Sequence, residues 1–356
     1  MLPWPMDGNS RLMLIAPHPD DETIPAGILL QQAIDAGASV RVVYLTSGDN
    51  NPWPQRYIEH QWKISSDDRA RWGQRRRKEA FTALAHLDVN PEDVVFWEYP
   101  DQGITKMLMS GDDKLVLALA EMILQWRPTL LVAPSLYDLH ADHSATAVFI
   151  RQMMAWLQKD RPQQSWLEYL VHTRKEDLPP GNILTLPLKP EQRIKKYLAI
   201  LSHESQTRLR PRELPAYADR PERFIWAADA LKKVDHYHTV QESSCETDML
   251  SLKLVMCACP GAFGPKRLYL AVNSKGMAGA RLEIPIPFYS RGMMIDMFET
   301  RRKLNAGQAW FRSGPHKAEV RIPFAAFMPA DQLFVKIKRR YGFFDEAGWR
   351  EIPIHN

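Results

Sequence analysis

The chain has 356 residues, of which 45% are hydrophobic and 25% charged; that balance excludes disorder, collagen and a disulfide-built miniprotein, and the length makes two domains the expectation. Its net charge of +4 is too weak to argue for a nucleic-acid partner, and the basic surplus lies late in the chain, residues 241–356 holding 17 Lys and Arg against 11 Asp and Glu. Cys245, Cys257 and Cys259 are too few for a disulfide framework, no stretch reaches the roughly 18 apolar residues of a membrane span, and no leader-like pattern opens the chain. The expectation is a soluble, cytoplasmic protein.

The first half alternates two hydrophobic periods. Residues 11–16 read as a buried strand, 24–37 as a helix stopped by Gly37, and 40–46 as a second strand. A long charged helix over 67–87, a strand over 94–97, a helix over 113–126, a strand over 129–133 and a helix over 144–158 follow. Strands alternating with helices imply a Rossmann-like, doubly wound α/β fold, its mostly parallel sheet covered by helices on both faces. Residues 48–66 form a long Pro- and Trp-bearing connection. A further helix reads over 190–206, and from about residue 245 short alternating runs separated by Gly, Pro and Asn read as an all-β, sandwich-like unit. The expected domains are 1–240 and 241–356.

Two turns concentrate chemistry. The first strand runs into Pro17-His18-Pro19-Asp20-Asp21-Glu22, where a nucleotide-binding fold would carry glycines. The fourth strand delivers Asp138-Leu139-His140-Ala141-Asp142-His143, with His140 and His143 at i, i+3 on one helical face. Strands one and four of a doubly wound sheet are neighbours where the strand order reverses, and ligands bind beyond their carboxyl ends. His18, Asp21, His140 and His143 are therefore expected around one hole. Two imidazoles and a carboxylate are a common ligand set for hydrolytic zinc, and suit ferrous iron as well. Bound zinc lowers the pKa of water toward ~7. Asp20 is then the natural general base. One of the two later histidines is left to stabilise an oxyanion or protonate a leaving group, with Asp142 to orient it. Helix capping accounts for any one of these acids, but not for the whole cluster.

With PHPDDE after the first strand and HADH after the fourth, the chain resembles the PIG-L/LmbE-like family of zinc-dependent N-acetylglucosaminyl de-N-acetylases, whose usual motifs are AHPDDE and HPDH. The resemblance covers roughly residues 10–210. Thr46-Ser47-Gly48-Asp49, Arg76-Arg77-Lys78-Glu79, Tyr99-Pro100-Asp101-Gln102-Gly103, and Lys196 to Ala199 with Ser205-Gln206 carry it further. It implies His18, Asp21 and His143 as ligands of Zn2+ (or Fe2+), Asp20 as base, His140 assisted by Asp142, and Arg76, Asp101 and Asp49 as contacts to sugar hydroxyls. The implied activity removes acetyl from an N-acetylated aminosugar, whether a small molecule, a glycan or a glycolipid. The alternatives are an amidase on another N-acyl or thiol–sugar conjugate, and a carbohydrate- or lipid-binding protein with a vestigial centre. Glu22 is expected to anchor its loop and His203 to be structural. Trp53, Tyr57 and Trp62 suit either a sugar-facing lid or a surface excursion packed on itself. The basic run around 336–340 reads as a solvated edge strand, or else as a dock for an anionic glycolipid.

Overall fold

A computed structural model describes residues 6–157, 166–172, 183–227, 240–255, 266–274, 277–287, 289–314, 317–339 and 348–354. The first part contains β1 (Arg11–Ala16), α1 (Gly27–Asp35), β2 (Ser39–Thr46), α2 (Pro52–Glu59), α3 (Ser66–His86), β3 (Val94–Tyr99), α4 (Ile104–Ser110) and α5 (Lys114–Trp126). It continues with β4 (Leu130–Pro134), α6 (Ala141–Leu157), β5 (Trp166–Tyr169), β6 (Ile183–Leu186), α7 (Pro190–Ser202), α8 (Glu204–Thr207) and β7 (Glu222–Trp226). Seven strands pair in the order β3-β2-β1-β4-β5-β7-β6. The first five are parallel, while β7 runs antiparallel to both β5 and β6.

The apolar runs that mark β1, β2 and β4 arise because both faces of the sheet are covered. Alternate residues go to opposite sides. Met13, Ile15, Val43 and Leu45 pack with α4, α5 and α6, whereas Leu12, Leu14, Val42 and Tyr44 pack with α1, α3 and α7. The expected mixed α/β layering is therefore present. The connection over 48–66 contains α2, and β5 to β7 escaped the periodicity because each is only four or five residues long.

The second sheet comprises β8 (Val240–Glu246), β9 (Met249–Val255), β10 (Lys266–Ser274), β11 (Met277–Ile286), β12 (Met293–Glu299), β13 (Leu304–Ser313), β14 (Lys317–Pro323), β15 (Gln332–Arg339) and β16 (Arg350–Ile352). They pair antiparallel in the order β16-β15-β10-β11-β12-β13-β14-β9-β8. This is one continuous sheet, not the two facing sheets of the expected sandwich. Its edge strands approach each other: the Arg350 guanidinium donates to the Val240 carbonyl, and one apolar cluster runs from Val240 through Leu270 and Phe311 to Ile352. The strand that carries Lys336 pairs with β10 along its length and with β16 over Leu333–Val335; Lys336 is buried and Lys338 exposed. The solvated-edge expectation fails at Lys336 but not at exposed Lys338, and the rest of the basic run from residue 340 lies outside the described residues.

Tyr269 and Ala271 of β10, Phe334 of β15 and Trp349 just before β16 extend the core of the first part, joining the cluster around α4, α5 and α6. Polar ties cross the same junction. Buried Arg281 donates to Gln152 Oε1 at 2.8 Å, and the Trp349 N–H donates to Ser144 Oγ at 3.2 Å. Cys245 is a free thiol, while Cys257 and Cys259 fall outside the described residues. Among the described residues no helix is long and apolar enough to cross a membrane.

Candidate metal and catalytic site

Strands β1 and β4 lie side by side, Leu14 opposite Val132, so the turns that leave them open at the same sheet edge. The first turn is closed by Asp21 N–H to the His18 carbonyl at 3.2 Å and Ile24 N–H to the Asp20 carbonyl at 3.1 Å. The second passes directly into α6, which begins at Ala141 and so carries His143 in its first turn.

Asp21 sits between two imidazoles. Its Oδ2 is 3.2 Å from His18 Nδ1 and 3.1 Å from His143 Nε2. Each imidazole then turns its other nitrogen to a second buried carboxylate: His18 Nε2 is 3.2 Å from Asp101 Oδ1, and His143 Nδ1 is 3.1 Å from Asp138 Oδ2. A metal-ligating histidine characteristically meets a carboxylate on its far nitrogen, which fixes the ring and the tautomer. All five side chains are buried. Burial alone would lower the His18 pKa, yet Asp101, Asp142 and Asp21 hold it well above its ordinary value; His143, likewise opposed by burial, is pushed up to about 10 by Asp21 and Asp138. This density of buried carboxylate demands positive charge at the rings.

Asp21 Oδ2 lies at ligand-like spacing from each of two imidazoles, and among the described residues His18, His140 and His143 form a group that could hold a metal ion. Around a tetrahedral ion with bonds of about 2.0–2.1 Å, donor atoms stand roughly 3.3 Å apart, close to the spacings around Asp21 Oδ2. His143 Nε2, aimed at this point, is buried and makes no hydrogen bond. His140 adds a third imidazole whose donor nitrogen lies within 4.8 Å of those of His18 and His143.

Asp20 and His140 each keep part of their surface open, unlike the three candidate ligands. Asp20 has φ 114, a conformation costing of order 1–3 kcal/mol in a residue with a β-carbon. Its turn is pinned by two neighbours. Glu22 Oε2 accepts the Asp20 N–H at 2.8 Å, and Arg76 donates to the Pro19 carbonyl while standing 3.3 Å from Asp20 Oδ2. Glu22 is itself held at 2.7 Å by buried His203, as anchoring and structural roles require. Burial pushes the Asp20 carboxyl up to about 6, the Asp21 charge adding to the rise and Arg76 opposing it. His140 Nδ1 accepts the Asp142 N–H at 3.3 Å. Burial and the neighbouring His18 and His143 hold its pKa well below the ordinary imidazole value.

Three residues expected to touch sugar or His140 have other partners here. Arg76 is buried and occupied by the carbonyls of Gly48 and Pro19, so it ties loops together. Asp101 faces His18, and its other oxygen accepts the Asn50 N–H at 2.8 Å; burial would raise its pKa, but the His18 contact brings it to about 2. The Asp142 carboxylate turns to the Thr105 N–H at 3.2 Å and to His18 Nε2 at 3.6 Å, reaching His140 only through its backbone. Asp49 is part-exposed, its carboxyl raised by partial burial and the charge of Asp101. The sequence reading gave no role to Asp138 or to His172, whose ring lies 5.3 Å from those of both His140 and His143. The available signals were an acid opening the HADH run and a histidine just past the strand that flanks β4.

Residues 13–154 match the family model described as GlcNAc-PI de-N-acetylase, PIG-L. A 1D-myo-inositol 2-acetamido-2-deoxy-alpha-D-glucopyranoside deacetylase from Nocardioides sp. is 31% identical over 101 residues, 28% of this chain and 32% of that protein. The match thus spans about a third of the curated relative's length. Among solved structures, a deacetylase of the teicoplanin biosynthetic pathway is similar at 24% identity and TM-score 0.46, covering 61% of this chain and 97% of that one. An N,N'-diacetylchitobiose deacetylase from Pyrococcus horikoshii is similar at 19% and 0.48, covering 64% and 87%. A 4-carboxy-2-hydroxymuconate hydratase from Pseudomonas putida stands at 19% and 0.44, covering 60% and 84%. Over residues 13–154, this chain is similar to the PIG-L family.

Proposed function

We propose that the protein is a metal-dependent hydrolase that removes acetyl from an N-acetylated aminosugar, as the family description and the name of the Nocardioides relative both imply. One observation carries the reading: His18 Nδ1 and His143 Nε2 converge on Asp21 Oδ2 at 3.2 and 3.1 Å, with Asp20 in the same turn. His18, Asp21 and His143 would hold Zn2+ or Fe2+, which when bound acidifies water and polarises an amide carbonyl.

The remaining chemistry falls to side chains of this chain. Asp20 accepts a proton from the attacking water as the carbon–oxygen bond forms. It delivers that proton to the nitrogen as the carbon–nitrogen bond breaks, leaving acetate and a free amine. Because Nδ1 of His140 accepts the Asp142 N–H, a neutral ring carries its proton on Nε2; from there it donates to the carbonyl oxygen as negative charge develops. Arg76 and Glu22 hold the Asp20 turn in its strained conformation. Asp101 and Asp138 fix the two ligand imidazoles.

The test is Asp20→Asn in metal-loaded protein, with acetate release followed from N-acetylglucosamine and N,N'-diacetylchitobiose. Turnover falls about 10²–10⁴-fold while metal content is unchanged. Wild-type turnover in that variant would overturn the assignment.

A further inference from the structure

We infer that Trp53 and Trp62, gathered about Arg56, form with exposed Tyr57 of the same segment a saccharide-binding platform beside this site, so that the substrate extends beyond the sugar that loses acetyl. The inference rests on the deacetylase reading and deepens it by naming the substrate class as an oligosaccharide or sugar conjugate. It starts from exposure: Trp53, Tyr57 and Trp62 are 46%, 61% and 73% exposed within ten residues of chain. Large aromatics left open this way forgo the ~1.5–3 kcal/mol that burying such a side chain contributes.

The segment is nevertheless braced, and by polar bonds. Asn51 caps α2 by accepting the Trp53 N–H at 3.3 Å. Buried Gln55 donates to Glu59 Oε2 at 3.0 Å and to the Asp68 carbonyl at 2.8 Å. Gln61 donates to Asp68 Oδ2 at 2.9 Å, and Arg56 to the Trp62 carbonyl at 2.9 Å. The helix and the turn after it are thereby fastened to the first turn of α3 while the aromatic faces stay outside.

Their arrangement suits a pyranose. The Trp53 and Trp62 rings meet at 78° with centroids 6.4 Å apart, and the Arg56 guanidinium carbon lies 5.2 and 5.1 Å from the two rings. That corner offers apolar faces to sugar C–H groups, with a guanidinium and nearby amides for hydroxyls. Residues 49–72 carry four acids and four Lys or Arg, a balance that favours a neutral ligand and gives no electrostatic gain to an anionic surface. Position completes the case. Asn50, which bonds Asp101 beside His18, precedes Trp53 by three residues, at most about 11 Å of chain.

The experiment compares wild type, Trp62→Ala and Trp62→Phe for acetate release from N-acetylglucosamine and from tetra-N-acetylchitotetraose, together with calorimetric binding of the tetrasaccharide to metal-free protein. Trp62→Ala should raise KM for the tetrasaccharide about tenfold more than for the monosaccharide and weaken metal-free binding similarly, with Trp62→Phe restoring most of both. Binding unchanged by Trp62→Ala, or an equal effect on the two substrates, overturns the platform. Trp62-dependent binding without acetate release from either substrate keeps the platform and rejects the deacetylase reading.

Discussion

Asp138 makes four contacts from one buried carboxylate: it faces His143 Nδ1 and accepts the N–H groups of His140, Val171 and His172. It therefore sets both the ring of one candidate ligand and the path of the loop that carries it. Asp138→Asn keeps the shape but weakens the hold on that ring, and should cost about 10–100-fold in zinc affinity, measured by competition with a chromogenic chelator; unaltered affinity would remove Asp138 from the site. Asp20 is the residue whose titration matters for rate. Burial raises its pKa to about 6, a base must be ionised, and a neighbouring cation pulls that value lower. Activity should therefore be present above, and lost as pH falls through, an apparent pKa at or below about 6 in kcat/KM. The same acid limb persisting in residual Asp20→Asn activity would assign it to another group.

The sequence motifs beyond the two site turns work mainly as fasteners between elements. Glu79 on α3 accepts the N–H and hydroxyl of Ser205 at the start of α8. Lys196 on α7 pairs at 2.7 Å with Glu222, which in turn accepts the N–H groups of Ile28 and Leu29 in the first turn of α1. Gly48 shows how tight this bracing is: it has φ +63, and a β-carbon there would lie 1.9 Å from Arg76 Nη1. Gly48→Ala should destabilise the fold by more than about 1 kcal/mol and slow turnover through the displaced Arg76 and Asp20, as read by urea denaturation beside kcat. Wild-type stability in that variant would show that the loop yields freely.

On the scale of the whole molecule, the second sheet meets the helix that carries His143. Gly348 fits where a β-carbon would come within 2.8 Å of the Ser144 side chain and 3.1 Å of the Asp138 carbonyl, and Trp349 is buried and bonded to Ser144. Trp349→Ala should cost about 3–5 kcal/mol. Because its contact adjoins His143, it should also shrink the rise in Tm that excess Zn2+ produces, a gain of about 2.7 kcal/mol for wild type at a hundredfold excess over Kd. An undiminished zinc-dependent rise in that variant would limit the second sheet to general stability.

Periodicity and two short motifs were enough, without coordinates, to call for a parallel α/β sheet and to bring His18, Asp21, His140 and His143 to its reversal point, because strand order and the position of a turn after a strand are local consequences of pattern. Where side chains point across the site was decided by tertiary structure. Arg76 and Asp101 read as sugar contacts, yet one answers the carbonyls of Gly48 and Pro19 and the other faces His18, partners 28 to 83 residues distant. Lys336 read as part of an exposed edge because the alternation of its strand hid the burial of its second face, where Phe334 joins the core around α6. Local chemistry names the groups a chain can bring to a reaction; only packing among distant segments assigns each buried charge its partner, since desolvation forces every one of them to find one.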